Sequence, residues 1–94
     1  MILMDKITTN KLYWFVEELY SYTDFIGNRF DIDSAQQRLL PIKLIVEKHD
    51  LPKIKALYNS LEKQFEKPTS FNRSTFSRKV NELYNIASEM NGKS

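Results

Sequence analysis

Apolar residues recur three and four positions apart along four separate stretches of this sequence, and this spacing constrains the fold more than any other feature. Side chains spaced in this way lie along one side of an α-helix. The predicted helices cover residues 10–26, 34–49, 51–67 and 73–91. Because the connections are short, successive helices are expected to pack as antiparallel neighbours. The sequence therefore predicts an all-α, compact four-helix bundle that forms one domain over residues 1–94.

Residues that start and stop helices stand at the boundaries of these stretches. The expected first residues or caps are Thr8 or Thr9, Ser34 with Gln37, Asp50 with Pro52, and Asn72 or Ser70. Gly27 is expected to end the first helix and Asn91-Gly92 the last, because a left-handed residue closes many helices. Residues 1–7 and 92–94 are expected to fray.

The second helix carries apolar residues on nearly every side, which predicts that it is the most buried of the four. Pro41 lies inside it. A proline there removes one backbone hydrogen bond and crowds the preceding turn, so a kink or a restart is expected near Leu40.

Composition excludes several classes of protein. Two glycines and three prolines are too few for a turn-rich β-fold, and an aromatic content of 13% disfavours disorder. The chain has no cysteine, which rules out disulfides and thiolate metal sites. No apolar run reaches the length of a membrane span, and Met1–Met4 is too short for a signal peptide. The expected location is the cytoplasm.

Catalytic and metal-binding patterns are missing from the sequence. His49 is the only histidine, and its position between two helices favours an imidazole at a helix C-terminus. Asp31 and Asp33 lack the spacing of a calcium loop and are interpreted as helix-capping residues. No glycine-rich phosphate loop is present. We expect a protein that is not an enzyme, with no cofactor, no metal and no small-molecule substrate.

The charges are unevenly distributed along the chain. Residues 1–47 carry five Lys or Arg and seven Asp or Glu, a net charge of −2, whereas residues 48–94 carry nine and five, a net charge of +4. A basic second half weakly favours an anionic partner, and an ordinary solvated helix surface explains the same residues.

The start of the fourth helix supplies the first binding hypothesis. Its run of hydroxyl and basic residues from Phe71 to Leu83 resembles the recognition helix of bacterial helix-turn-helix regulators. The resemblance covers about 13 residues and implies that this helix meets DNA in the major groove. The DNA-binding residues it implies are Arg73, Ser74, Ser77, Arg78, Lys79 and Asn81. Pro68 and Ser70 give a longer turn than the motif has, and an ordinary amphipathic helix explains the same residues.

The first helix supplies the second hypothesis, because it carries more aromatic residues than its core-facing side needs. Trp14 and Phe25 lie opposite that side, and Tyr13 and Tyr20 lie at its edge. Exposed aromatics at helical spacing predict a surface for a protein partner or a homodimer. The alternative is that residues 1–6 or a neighbouring helix cover them.

Two functions therefore remain open. The first is a regulatory protein that binds nucleic acid through its fourth helix. The second is a protein-binding helical bundle, such as an inhibitor or an adaptor. In size, charge and predicted architecture the chain also resembles the immunity proteins that protect bacteriocin producers, with Leu83-Tyr84-Asn85-Ile86-Ala87 compatible with their ends, but a shared architecture does not determine function.

Overall fold

Over residues 5–25 and 27–93, the part of the chain that is described, the computed structural model contains four α-helices and no strand. They are α1 (Lys6–Phe25), α2 (Ile32–Lys48), α3 (Pro52–Glu66) and α4 (Arg73–Lys93), with single 3-10 turns at Gly27–Arg29 and Pro68–Ser70. The predicted all-α four-helix bundle is confirmed. None of these helices is both long and apolar enough to cross a membrane.

The four helices form a closed ring in which each helix is antiparallel to the next. α1 packs against both α2 and α4, and α3 packs against the same two helices from the other side. The C-terminal part of α1 lies beside the start of α4, where Thr23 contacts Arg73, while Tyr13 lies beside Tyr84. The bundle is elongated, with extents of 40 × 23 × 18 Å.

The first two helices begin earlier than predicted. Asp5 caps α1 by accepting a hydrogen bond from the amide of Thr8 at 2.7 Å, which also lowers the pKa of its carboxyl group. Thr9 is buried and donates its hydroxyl proton to the carbonyl of Asp5, so the predicted cap at Thr8 or Thr9 is wrong. Asp31 caps α2 through the amide of Ser34 at 3.0 Å, and the predicted box at Ser34 and Gln37 is wrong.

The other boundaries agree better with the local sequence. Pro52 opens α3 as predicted, but the residue before it, Leu51, takes the cap position without a side-chain bond, so the predicted cap at Asp50 is wrong. Asn72 caps α4 through the amide of Thr75 at 2.9 Å, as predicted. His49 is the C-terminal cap residue of α2, as expected.

Glycine behaves differently at the two predicted stops. Gly27 has a φ of +65°, the left-handed conformation expected after α1. Gly92 instead lies inside α4, which continues to Lys93. Residues 6–7 and 92–93 are helical, and residues 1–4, 26 and 94 lie outside the described residues.

Helix α2 departs from two expectations. It runs without a break from Ile32 to Lys48, so of the two alternatives near Leu40, a kink or a restart, the restart is wrong. The hydrogen bond that Pro41 lacks is the one to the carbonyl of Gln37, a residue at the surface where water can satisfy that oxygen. The helix is also not the most buried one. Leu40 and Leu44 are 53% and 61% exposed, while Leu39 and Ile42 face the core.

The core is a continuous row of aliphatic residues that ends in an aromatic cluster. The rings of Phe30, Phe65, Phe71 and Phe76 meet with centroids 5.1–6.2 Å apart where α4 begins. Phe76 and the aliphatic side chains of Leu12, Leu19 and Leu83 are completely buried. This packing holds α1 against α4 and so positions the surface that these two helices form together.

Candidate functional site

One side of α1 presents large apolar side chains to solvent along its whole length. Ile7, Trp14 and Phe25 are 68%, 56% and 74% exposed. They are seven and eleven residues apart, close to two and three full helical turns, so they form one line. This line is opposite the buried Leu12 and Val16. We call it the outer stripe and define it by six residues: Ile7, Lys11, Trp14, Glu18, Ser21 and Phe25.

A second row of aromatic rings fills the seam between α1 and α4. Tyr20 stacks on Tyr84, with ring centroids 4.5 Å apart and an interplanar angle of 10°. The hydroxyl oxygens of Tyr13 and Tyr84 are 3.3 Å apart. This hydrogen bond and burial raise the pKa of Tyr13 above its ordinary value. Tyr13 and Tyr20, both predicted to belong to an interface, are half-buried within the chain.

The tyrosine row supports the exposed rings beside it. Trp14 meets Tyr13 edge to face with centroids 5.4 Å apart, and Phe25 meets Tyr20 in the same way at 5.9 Å. Such contacts contribute about 0.5–1.5 kcal/mol each beyond the area that they bury. The two exposed rings are therefore held in place before any partner arrives, which reduces the entropy lost on binding.

Arg73, predicted to contact phosphates, is occupied within the chain. Its guanidinium donates to the carbonyl of Gly27 at 2.6 Å and to that of Thr23 at 2.9 Å. The same group lies over the ring of Phe30, with its central carbon 4.6 Å from the ring centroid. Helix C-termini leave carbonyls without intrahelical partners and carry partial negative charge. Arg73 thus supplies hydrogen-bond donors to carbonyls at the C-terminal end of α1.

The remaining α4 residues predicted to bind DNA divide between two sides of the helix. Ser74, Ser77, Arg78 and Asn81 line an open groove of about 740 Å³ between α4 and the end of α1. Within the groove, Ser77 donates a hydrogen bond to the carboxylate of Asp24. Lys79 does not line the groove. It lies seven residues before Ile86, which borders α3, and so occupies the opposite flank of α4.

The groove joins the two surfaces that the sequence presented as alternatives. Tyr20 and Phe25 line it from α1, while Ser74, Arg78 and Asn81 line it from α4. Phe25 also belongs to the outer stripe. The structure therefore forms one continuous face, with an apolar line along α1 and a polar border at the start of α4.

The geometry of α3 and α4 differs from that of a helix-turn-helix motif. Phe65, near the end of α3, packs on Phe76 near the start of α4, while Ile54 and Ile86 line the same pocket at the other end of the pair. Proximity at both ends requires the helices to run roughly antiparallel. The two helices of a helix-turn-helix instead cross at about 90–120°.

Two features of the surface were missed by reasoning from the sequence. Tyr84 is one, although its spacing of seven residues from Ser77 places it on the side of α4 that faces α1. The other is an apolar patch on α2 around Leu40, Pro41 and Leu44. That patch was assigned to the core because apolar residues surround α2, and no local signal shows which side is covered.

Within residues 5–25 and 27–93, no three His, Asp or Glu side chains converge closely enough to hold a metal ion. No known protein-family profile matches the chain, and neither a curated protein nor a solved structure is significantly similar to it.

Proposed function

We propose that this chain is a non-enzymatic binding protein that binds a protein partner, either a different protein or a second copy of itself, through the outer stripe of α1. The observation that carries the proposal is the line of three large apolar side chains, Ile7, Trp14 and Phe25, each more than half exposed. Aromatic side chains, Trp above all, dominate the energetics of protein interfaces. An inhibitor, an adaptor or an immunity-type protein would each act through such a surface.

The surroundings of the stripe have the composition of an interface border. Protein interfaces combine an apolar centre with a polar, solvent-accessible rim. Lys11 and Glu18 lie on the stripe itself, and Arg78 and Asn81 lie beyond Phe25 across the groove. These groups suit orientation of a partner, while Trp14 and Phe25 suit its attachment.

Cross-linking tests this proposal. A photoreactive phenylalanine analogue placed at position 14 is expected to cross-link a discrete partner in cells that produce the chain. The matched control carries the analogue at position 44, where Leu44 is exposed to a similar degree on α2. Equal capture from both positions, or none from position 14, contradicts the proposal.

Affinity measurements with the identified partner complete the test. Trp14→Ala is expected to weaken binding by about 30-fold or more, because truncating a central interface tryptophan costs at least about 2 kcal/mol. Leu44→Ala is expected to leave the affinity unchanged. Calorimetry or fluorescence titration of both purified variants gives the comparison.

DNA binding remains the second candidate, and one observation favours it. Ser74, Arg78 and Asn81 are exposed side by side in the first turns of α4. Against it, the donors of Arg73 bind the end of α1, and Glu82 is exposed on the outer side of the same helix. This candidate is therefore placed behind protein binding.

A salt titration separates the two candidates. If α4 contacts DNA, the chain binds a random 30-base-pair duplex at low salt, and Arg78→Ala weakens that binding while reducing the log–log salt slope by about 1. Lys55→Ala, on the exposed side of α3, is the control for general loss of charge. A chain that shows no duplex binding at about 50 mM salt, where counterion release favours binding, rules the candidate out.

A further inference from the structure

The outer stripe has the residue spacing of a helix-pairing seam. Ile7, Trp14 and Ser21 are seven residues apart, and Lys11, Glu18 and Phe25 form a second series offset by four. These two series occupy the a and d positions of a heptad, the positions through which two helices pack side by side. In the described part of the chain, no other helix packs against the solvent side of α1 where these residues lie.

The outer stripe carries one positive and one negative side chain, and they lie in different halves of α1. Lys11 lies in the N-terminal half of α1 and Glu18 in the C-terminal half, and both are exposed. Both lie inside α1, beyond the first and last turns where the helix dipole acts, so the dipole does not explain their order.

From this arrangement we infer that the partner of the outer stripe is a second copy of the same chain, packed so that the two α1 helices run antiparallel. The inference rests on the proposed function, because it names the partner for the surface assigned there. In the register of full overlap, Ile7 of one copy faces Phe25 of the other, and Trp14 faces Glu18. Lys11 then lies within one turn of the second copy's Glu18, and a two-fold axis repeats every contact.

The charges of Lys11 and Glu18 favour the antiparallel arrangement of the two α1 helices over the parallel one. A parallel pair brings Lys11 against Lys11 and Glu18 against Glu18, which is repulsive. In the antiparallel pair each lysine meets a glutamate. Glu18 forms an ion pair with Arg38 within the chain, with Oε1 and Nε 3.8 Å apart, and its side chain is still 64% exposed.

The other exposed apolar surface is less suited to this role. Leu40 and Leu44 on α2 form a patch with Lys43 and Glu47, which are four residues apart on the same helix. The apolar residues of this patch, Leu40, Pro41 and Leu44, cover little more than one helical turn, whereas the outer stripe extends for about 27 Å.

The outer stripe is small, so a weak dimer is expected, and the measurement has to cover high protein concentrations. One helix face contributes less than the roughly 800 Å² per partner of a standard stable interface, so dissociation in the micromolar range or weaker is expected. Sedimentation equilibrium of the purified chain from about 10 μM to 1 mM covers this range. The result expected is a monomer–dimer equilibrium, which Trp14→Ala shifts toward the monomer by about tenfold or more.

Charge exchange tests the contact between Lys11 and Glu18. Lys11→Glu and Glu18→Lys are each expected to weaken self-association, and the double variant is expected to restore it. Glu47→Lys, an exposed charge reversal on α2, is the matched control and leaves the dimer unchanged. Circular dichroism of each variant separates a change in folding from a change in association. Restoration that fails in a folded double variant overturns the antiparallel register.

Cysteine cross-linking tests the direction independently, because the chain contains no cysteine of its own. When Ile7→Cys and Phe25→Cys chains are mixed and oxidised, the mixed 7–25 disulfide is expected to exceed both like-with-like products. A preference for 7–7 and 25–25 links overturns the register.

The failure of this inference is distinct from failure of the proposed function. A chain that stays monomeric up to about 1 mM overturns the dimer. If position 14 then cross-links a different protein in cells, protein binding through the outer stripe stands without the dimer.

Discussion

Phe76→Ala is expected to lower the free energy of unfolding by about 3–5 kcal/mol, the largest effect of any change considered. Phe76 is completely buried, and its ring meets those of Phe65, Phe71 and Phe30 at centroid distances of 5.4, 5.1 and 6.2 Å. Alanine at position 76 leaves a cavity among these rings, and the chain segments that carry the rings cannot move together to fill it. For a chain of this length, total stability is about 5–14 kcal/mol, so the variant loses a large part of it.

Urea unfolding followed by circular dichroism measures this loss. Phe25→Ala is the matched control, since it removes the same atoms from a ring that is 74% exposed. It is expected to lower the free energy of unfolding by only about 0.5–1.5 kcal/mol, the contribution of its edge-to-face contact with Tyr20. If the two variants are equally destabilised, the assignment of Phe76 to the core and of Phe25 to the surface is wrong.

Arg73→Ala is expected to cost about 2–3 kcal/mol of stability. The change removes two charge-assisted hydrogen bonds to the carbonyls of Thr23 and Gly27, together with a cation–π contact to Phe30. Because Arg73 is only partly buried, water satisfies some of the freed carbonyls and limits the loss. Thermal and urea unfolding of the variant provide the measurement.

Arg78→Ala is the control for Arg73, because both arginines lie near the start of α4 but Arg78 is exposed in the groove. Its replacement is expected to change stability by no more than about 0.5 kcal/mol. Arg73→Lys keeps the charge but replaces the forked guanidinium with a single ammonium group, so it is expected to recover only part of the loss. Full recovery by lysine, or no loss in Arg73→Ala, contradicts the bridging role.

This comparison also bears on how binding experiments with α4 are interpreted. If Arg73→Ala loses DNA or protein binding, the first explanation is that the packing of α1 against α4 is disturbed. Loss of a direct contact between Arg73 and a ligand is the second explanation. Arg78, Ser74 and Asn81 are the residues of that helix whose substitution tests binding directly.

The sequence by itself determined the four helices and several of their ends. Helical spacing of apolar residues depends only on which residues stand three and four positions apart, so α1 to α4 were predictable from local pattern. Pro52, Asn72 and Gly27 act through the backbone of their own turn, and each behaves as predicted. The exposure of Trp14 and Phe25 followed from the same periodicity, because both lie opposite a long apolar side.

Tertiary structure alone decided which of several suitable surfaces were covered. Leu40 and Leu44 have the same chemistry as Leu39, and only the positions of α1 and α3 determine that the first two are exposed. Tyr13 and Tyr20 are half-buried because Tyr84, which is 71 and 64 residues away from them along the chain, packs against both from α4. Arg73 was diverted from solvent by two carbonyls about 50 residues before it. Local spacing specifies the faces of each helix, but burial and hydrogen bonding depend on which other helix reaches each face.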